Sequence, residues 1–266
     1  GVPVPVLRAA WETSEWPPDR ADGDANTVTR QKLWTRSFLV ITLENFLIAV
    51  NFWLLMTVVS KFATDRFEVS TALAGFAVGI FIIGAVIGRA LCGKWIHRIG
   101  QTRTIYAGVV VTLALTLVYF WATSTGLLLL VRFLHGVAFG AAHVAAGTIV
   151  ASVVPKERYG EGIGYFTLGQ TVATGIGPFI GLLLMQHGSF DSVIIASAVA
   201  SALGLAILPF LAVKDVELTA EQTEETKGFR LSSYIELKAV PIALIALVVY
   251  LCYSSVISFL ALYAEQ

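Results

Sequence analysis

The run LVRFLHGVAFGAA, residues 130–142, sets Arg132 in the middle of an otherwise apolar stretch with no carboxylate nearby in the sequence. An arginine in hydrocarbon costs several kcal/mol unless it faces a water-filled or protein-lined interior, so such a residue is a functional-site candidate by default. On a helix, Arg132, His135 and His143, at successive offsets of three and eight, share one face. A histidine beside an aqueous cavity titrates near physiological pH; His143 reads instead as packing. Glu44 is the carboxylate inside its own apolar stretch. Removal from water penalises its charged form, which makes it a candidate carrier of a proton or a cation. Asn51 lies seven residues further, two turns along the same face, and its depth makes it a better-placed partner for Arg132 than Glu44 is. The plain alternatives are an arginine that satisfies backbone carbonyls and a glutamate that reaches back to water.

Other chemistry is not signalled. There is no G-x-x-x-x-G-K-[ST] run for ATP and no Cys/His cluster with metal-ligand spacing, so neither cofactor nor metal is expected. Cys92 and Cys252 both fall in apolar stretches and read as small core residues. The net charge of +0 points away from nucleic acid.

The elements that must position these residues are membrane helices. The chain is 56% hydrophobic and 14% charged, against about 45–50% and about 25% for soluble domains. Seven stretches reach the roughly 20 residues a bilayer span needs, at 37–60, 70–95, 104–122, 126–154, 162–185, 193–213 and 239–261. Backbone polar groups in lipid must be satisfied within the segment, which makes these spans helices. Arg30, Lys32 and Arg36 precede the first span; Lys94, Arg98 and Arg103 surround the second loop, and Lys156 and Arg158 the fourth. Lys214, Lys227, Arg230 and Lys238 follow the sixth span, while the intervening loops carry few cations. This bias sets the N-terminus in the cytoplasm.

Four regions follow: a polar disordered extension at 1–32, a six-helix bundle at 33–213, a cytoplasmic linker at 214–238, and one further span at 239–266 that has no bundle of its own to join. The chain is therefore expected to be the first half of a larger protein plus one helix of the second half, whose remaining bundle is a missing partner. Small residues stripe two spans: Gly75, Gly79, Gly84 and Gly88 in the second, and Gly169, Ala173, Gly177 and Gly181 in the fifth. Such stripes allow close helix approach. Pro178 beside Gly177 suggests a kinked seal between two moving bundles.

These features together resemble the major facilitator superfamily, and within it the proton-coupled drug and metabolite antiporters. GKWIHRIGQTR (residues 93–103) looks like the family's loop signature G-x-x-x-D-R-x-G-R-[RK]: Gly93, Arg98 and Gly100 match, His97 replaces the aspartate, Gln101 replaces an arginine, and Arg103 closes the run. RFLHGVAFGAA is similar to R-x-x-Q-G-x-G-A-A of the fourth helix, with His135 for glutamine and Ala138 for glycine. GIGPFIG (residues 175–181) looks like the antiporter signature of the fifth helix, and PKERYGEG like the short basic turn before it.

The resemblance implies an all-α membrane protein with two six-helix bundles, inverted three-helix repeats within each bundle and a substrate site between bundles near the midplane. It implies that the Arg132 face lines that cavity, with Glu44, Asn51 and His135 in proton coupling or substrate binding. It also implies that Gly93, His97, Arg98, Gly100 and Arg103 gate the cytoplasmic side. Helix 7 would add polar edges from Tyr250, Tyr253 and Ser254. The function implied is secondary active transport by alternating access, as proton-coupled export of a small amphipathic or hydrophobic compound across the plasma membrane. Proton symport or facilitated uptake of a metabolite is the runner-up, and a receptor, scaffold or inactive fragment the alternative of another class. An enzyme is not expected.

Overall fold

Helix boundaries follow local capping chemistry. α1 (Arg36–Phe67) starts where the Thr35 side chain accepts from the Phe38 N–H, and stops at Glu68, whose φ of 52° turns the chain left-handed. α2 (Thr71–Ile99) begins under the Ser70 hydroxyl. α3 (Gln101–Val118) runs on into a 3-10 turn, Tyr119–Trp121. α4 (Thr125–Val153) is capped by Ser124. A 3-10 turn, Lys156–Arg158, leads into α5 (Tyr159–His187), which stays helical through Pro178. α6 (Phe190–Ile207) ends in the 3-10 turn Leu208–Phe210, and α7 spans Val240–Ala264.

These coordinates are a computed structural model that describes residues 32–213 and 240–264, apart from the side chains of Lys94, His97 and residues 253–264. The expected linker at 214–238, and all but the last residue of the expected N-terminal extension, lie outside the described residues. No strand occurs among the described residues. Six of their helices are long and apolar enough to cross a membrane, and α7 adds a shorter apolar stretch, Val240–Cys252.

Packing repeats itself within the bundle. α2 lies most extensively on α4 and α1 on α5, followed by α3 on α4 and α1 on α6. Exchanging α1–α3 with α4–α6 maps each of these contacts onto its counterpart, as inverted three-helix repeats require.

The α2–α4 contact is backbone against backbone. A β-carbon at Gly84 or Gly88 would run into the carbonyls of Phe133 or Val137, and one at Gly136 or Gly140 into those of Phe81 or Ala85. Gly75 and Gly79, on the same helix, meet nothing within 4 Å, so half of the expected stripe makes the contact. On the α5 side of α1, Gly169 faces Phe46, Gly177 faces Trp53 and Gly181 faces the Leu54 carbonyl. The α5 stripe therefore packs inside one bundle, against α1, rather than forming the outward seal expected from its sequence.

Aromatic rings fill the middle. Phe52 stacks on Phe139 at 5.1 Å and Phe81 lies 5.4 Å from Phe139. Near the other end, Phe62 stacks on Phe190 at 3.7 Å. Cys92 is buried as expected, whereas Cys252 is exposed.

Candidate functional site

Two buried ionisable side chains, one basic and one acidic, occupy the bundle. Arg132, 0% exposed, projects from α4 towards α1 and α2. Its Nε donates to the Ala77 carbonyl at 3.1 Å, and Nη2 points at the Met56 sulfur at 3.6 Å. The guanidinium lies 4.5 Å over the Phe81 ring, a cation–π contact in a site shielded from water. Nη1 has no hydrogen-bond partner. One turn on, His135 is also 0% exposed: Nδ1 sits 3.3 Å from the Tyr119 hydroxyl, and the ring meets Phe81 edge-on at 5.4 Å. The face expected to line an open cavity is thus enclosed between helices of its own bundle. His143 is half-buried against Phe139 at 5.8 Å.

Glu44, 1% exposed, is buried rather than reaching back to water. Its carboxylate sits against α6, where a β-carbon on Gly204 would fall 2.6 Å from Oε2 and 2.9 Å from Oε1. Neither oxygen has a hydrogen-bond partner. A glycine at 204 is what leaves room for the carboxyl.

The pairing expected between Asn51 and Arg132 does not form. Asn51 Nδ2 donates to Thr116 Oγ1 at 3.2 Å, to the Ser197 carbonyl at 3.1 Å and to Ser201 Oγ at 2.9 Å. It faces α3 and α6, away from the Arg132 pocket. Neighbouring Asn45 donates to the Phe166 carbonyl of α5 at 3.1 Å. Among the described residues the salt bridges are Lys61–Asp65 and Arg158–Glu161, and neither buried charge takes part in them.

The sequence signatures also have local explanations. Gly100 joins α2 to α3 in a single residue at φ 93°, a backbone that L side chains rarely adopt. Its N–H bonds to the Ile96 carbonyl at 2.9 Å, and its own carbonyl accepts from Thr104 Oγ1 at 2.7 Å. Gly93 is exposed and meets nothing within 4 Å, and Arg98 and Arg103 are exposed. The His97 side chain lies outside the described residues. Pro178 is half-buried in α5.

Sequence reasoning missed Phe81, Met56 and Tyr119 around Arg132, and Thr112, Thr116, Ser197, Ser201 and Gly204 beside Glu44 and Asn51. The last five carried a signal: four small hydroxyl residues and a glycine at spacings of four and three in otherwise apolar helices.

Comparison with known proteins decides the family. Residues 41–266 match the sequence profile of the Major Facilitator Superfamily. The chain belongs to that superfamily. With six apolar helices of spanning length among its described residues, it is an integral, multi-pass membrane protein. It is 26% identical to a gallate transporter of Pseudomonas putida over 174 residues, covering 65% of this chain and 37% of that protein. It is 24% identical to multidrug resistance protein 2 of Bacillus subtilis, covering 62% and 41%. It is also 24% identical to a Na(+), Li(+), K(+)/H(+) antiporter of Planococcus maritimus, covering 74% and 46%. The chain therefore spans less than half the length of these relatives. In fold it is similar to a crystal structure of the peptide transporter POT in complex with sulfate, with a TM-score of 0.61 at 16% identity over 84% of this chain and 46% of that one.

Proposed function

We propose that this chain supplies the first bundle, a cytoplasmic linker and the first helix of the second bundle of a secondary active transporter that works by alternating access. The transported compound is small and amphipathic or hydrophobic, and it leaves the cell in exchange for protons. The protein is not an enzyme. It sits in the plasma membrane with its N-terminus in the cytoplasm, the orientation favoured by the loop cations.

One observation carries the coupling step: a membrane-embedded carboxylate, Glu44, with no hydrogen-bond partner and no counter-ion among the described residues. Such a group is stable in apolar surroundings only with its charge neutralised. Loading it from one side and unloading it to the other shifts the balance of conformations by the difference in ion affinity between them. The family supports transport, and the relatives named for multidrug resistance and for cation/proton antiport favour export as its direction. In this scheme the α2–α4 glycine contact keeps the bundle rigid as it rocks, and the loop from Gly93 to Arg103, including His97, closes its cytoplasmic edge. Arg132 and His135 brace the middle of the bundle from behind the cavity.

The relative named for gallate favours a second reading, proton symport of a small metabolite into the cell. Reconstitution of the whole protein in liposomes with an imposed pH gradient tests both. Export predicts gradient-driven movement of a fluorescent amphipathic dye against the proton flow, abolished by Glu44→Gln. Movement of an aromatic acid together with protons selects the second reading, and no gradient-driven movement of either rejects both.

A further inference from the structure

The Glu44 carboxylate is not the sole unmatched oxygen in its surroundings. Asn51 Oδ1, Thr112 Oγ1 and Ser197 Oγ are also buried without hydrogen-bond partners. All four side chains are at most 4% exposed. Buried polar atoms in native proteins almost always have partners, so an aligned set of orphans points to a ligand.

Register brings these atoms into one seam. Successive spans alternate in direction, so α1 and α3 run parallel and α6 runs against both. Asn51 touches Thr116 of α3 and Ser197 and Ser201 of α6, which fixes a common level. Thr112 lies one turn back along α3, and its spacing of four from Thr116 sets it on the same side of that helix, where it is buried. Gly204 lies one turn on along α6, where it meets the Glu44 carboxylate. Glu44 is two turns, about 10 Å, below Asn51. The Thr112 hydroxyl thus falls between the amide and the carboxylate, and polar oxygens climb the seam a turn at a time.

We propose that the α1–α3–α6 seam binds a small monovalent cation of the size of sodium, held by the Glu44 carboxylate and the Thr112 hydroxyl, with the Asn51 carbonyl oxygen and the Ser197 hydroxyl lining the seam one to two turns above. Every available donor is oxygen, the choice of hard cations rather than of softer transition metals. One carboxylate balances one positive charge; a divalent ion would leave net charge in the apolar interior, and divalent sites recruit several carboxylates or waters. The seam lies between α1, α3 and α6, whereas the Arg132 guanidinium is held by Ala77 of α2 and Met56 of α1; Arg36 lies two turns below Glu44, over the Phe210 ring. The inference rests on the reading of Glu44 as the ion-handling group and adds a cation that competes with the proton for that carboxylate.

Thermal unfolding of the whole purified protein in detergent tests it, with sodium chloride replacing choline chloride at constant ionic strength and fixed, mildly alkaline pH. A ligand that binds the folded state raises the midpoint by mass action, here by about 2–4 °C at saturating sodium. Glu44→Gln abolishes that rise, and Thr112→Val shifts the half-saturating sodium concentration up by about tenfold with the carboxylate intact. An equal rise in choline, or a sodium rise unchanged in both variants, overturns the site. If Glu44→Gln does not fold, Thr112→Val decides alone. Gradient-driven transport without any sodium effect sinks this inference and leaves the transporter reading standing. A sodium effect in a protein that moves no substrate does the reverse.

Discussion

Arg132 and Glu44 are both buried, both ionisable and both without an ion pair among the described residues, yet the bundle treats them in opposite ways. The guanidinium has a carbonyl, a sulfur and a ring face around it. The carboxylate has a glycine and, among the described residues, no donor. Helix chemistry explains the difference. Each carbonyl oxygen in a helix keeps a second lone pair after its ladder bond, whereas each N–H is used up. Aromatic faces and thioethers add further negative potential. A helical membrane interior can therefore solvate a cation from its own backbone and rings. For an anion it must supply side-chain donors, a proton or a bound cation. Arg132 is built into the structure, while Glu44 is left needing something that can come and go.

The largest effect that would break this contrast is at the arginine. Arg132→Ala removes a fully enclosed side chain and its contacts, and is expected to lower stability by about 3 kcal/mol or more; denaturant unfolding of the detergent-solubilised protein reads it directly. A loss under about 1 kcal/mol would mean that the arginine is not supported by its surroundings.

Gly204→Ala comes next. Its new methyl group collides with the Glu44 carboxylate, and the expected cost is about 1–3 kcal/mol. The same change in a Glu44→Ala background should be nearly neutral, because the space is then vacant. A double-mutant cycle that returns no coupling would contradict the seating of Glu44 on Gly204.

Phe81→Leu keeps a buried apolar side chain but removes the π face, for about 1 kcal/mol, and the part of the loss that acts through the guanidinium should vanish in an Arg132→Ala background. Met56→Leu should cost under about 1 kcal/mol by the same assay, and a larger loss would assign the sulfur more of the cation's support than its 3.6 Å contact suggests.

The helices were legible in the sequence because composition and caps are local. The fourth span, expected at 126–154, is Thr125–Val153, and its start is the Ser124 cap. Gly100 was legible as a signature residue, and its φ of 93° supplies the physical reason. The candidate residues Glu44, Asn51, Arg132 and His135 all prove to be buried. Their partners were not legible. Periodicity places a residue on a face of its own helix, but which helix covers that face depends on the order of helices around the bundle. Asn51 was assigned to Arg132 on depth alone, and it faces α3 and α6 instead. The α5 glycines were legible as a contact face, and their counterpart, α1, was not.

The most direct test of the central claim is the stability of Glu44→Gln against the unaltered protein in sodium-free buffer. Glutamine keeps the shape and removes the charge. If the bundle gives the carboxylate no support, the variant unfolds at the same denaturant concentration as the parent or a higher one. A fall of about 3 kcal/mol or more, as when one partner of a buried ion pair is removed, would show that Glu44 is held by a fixed positive group and would contradict the account.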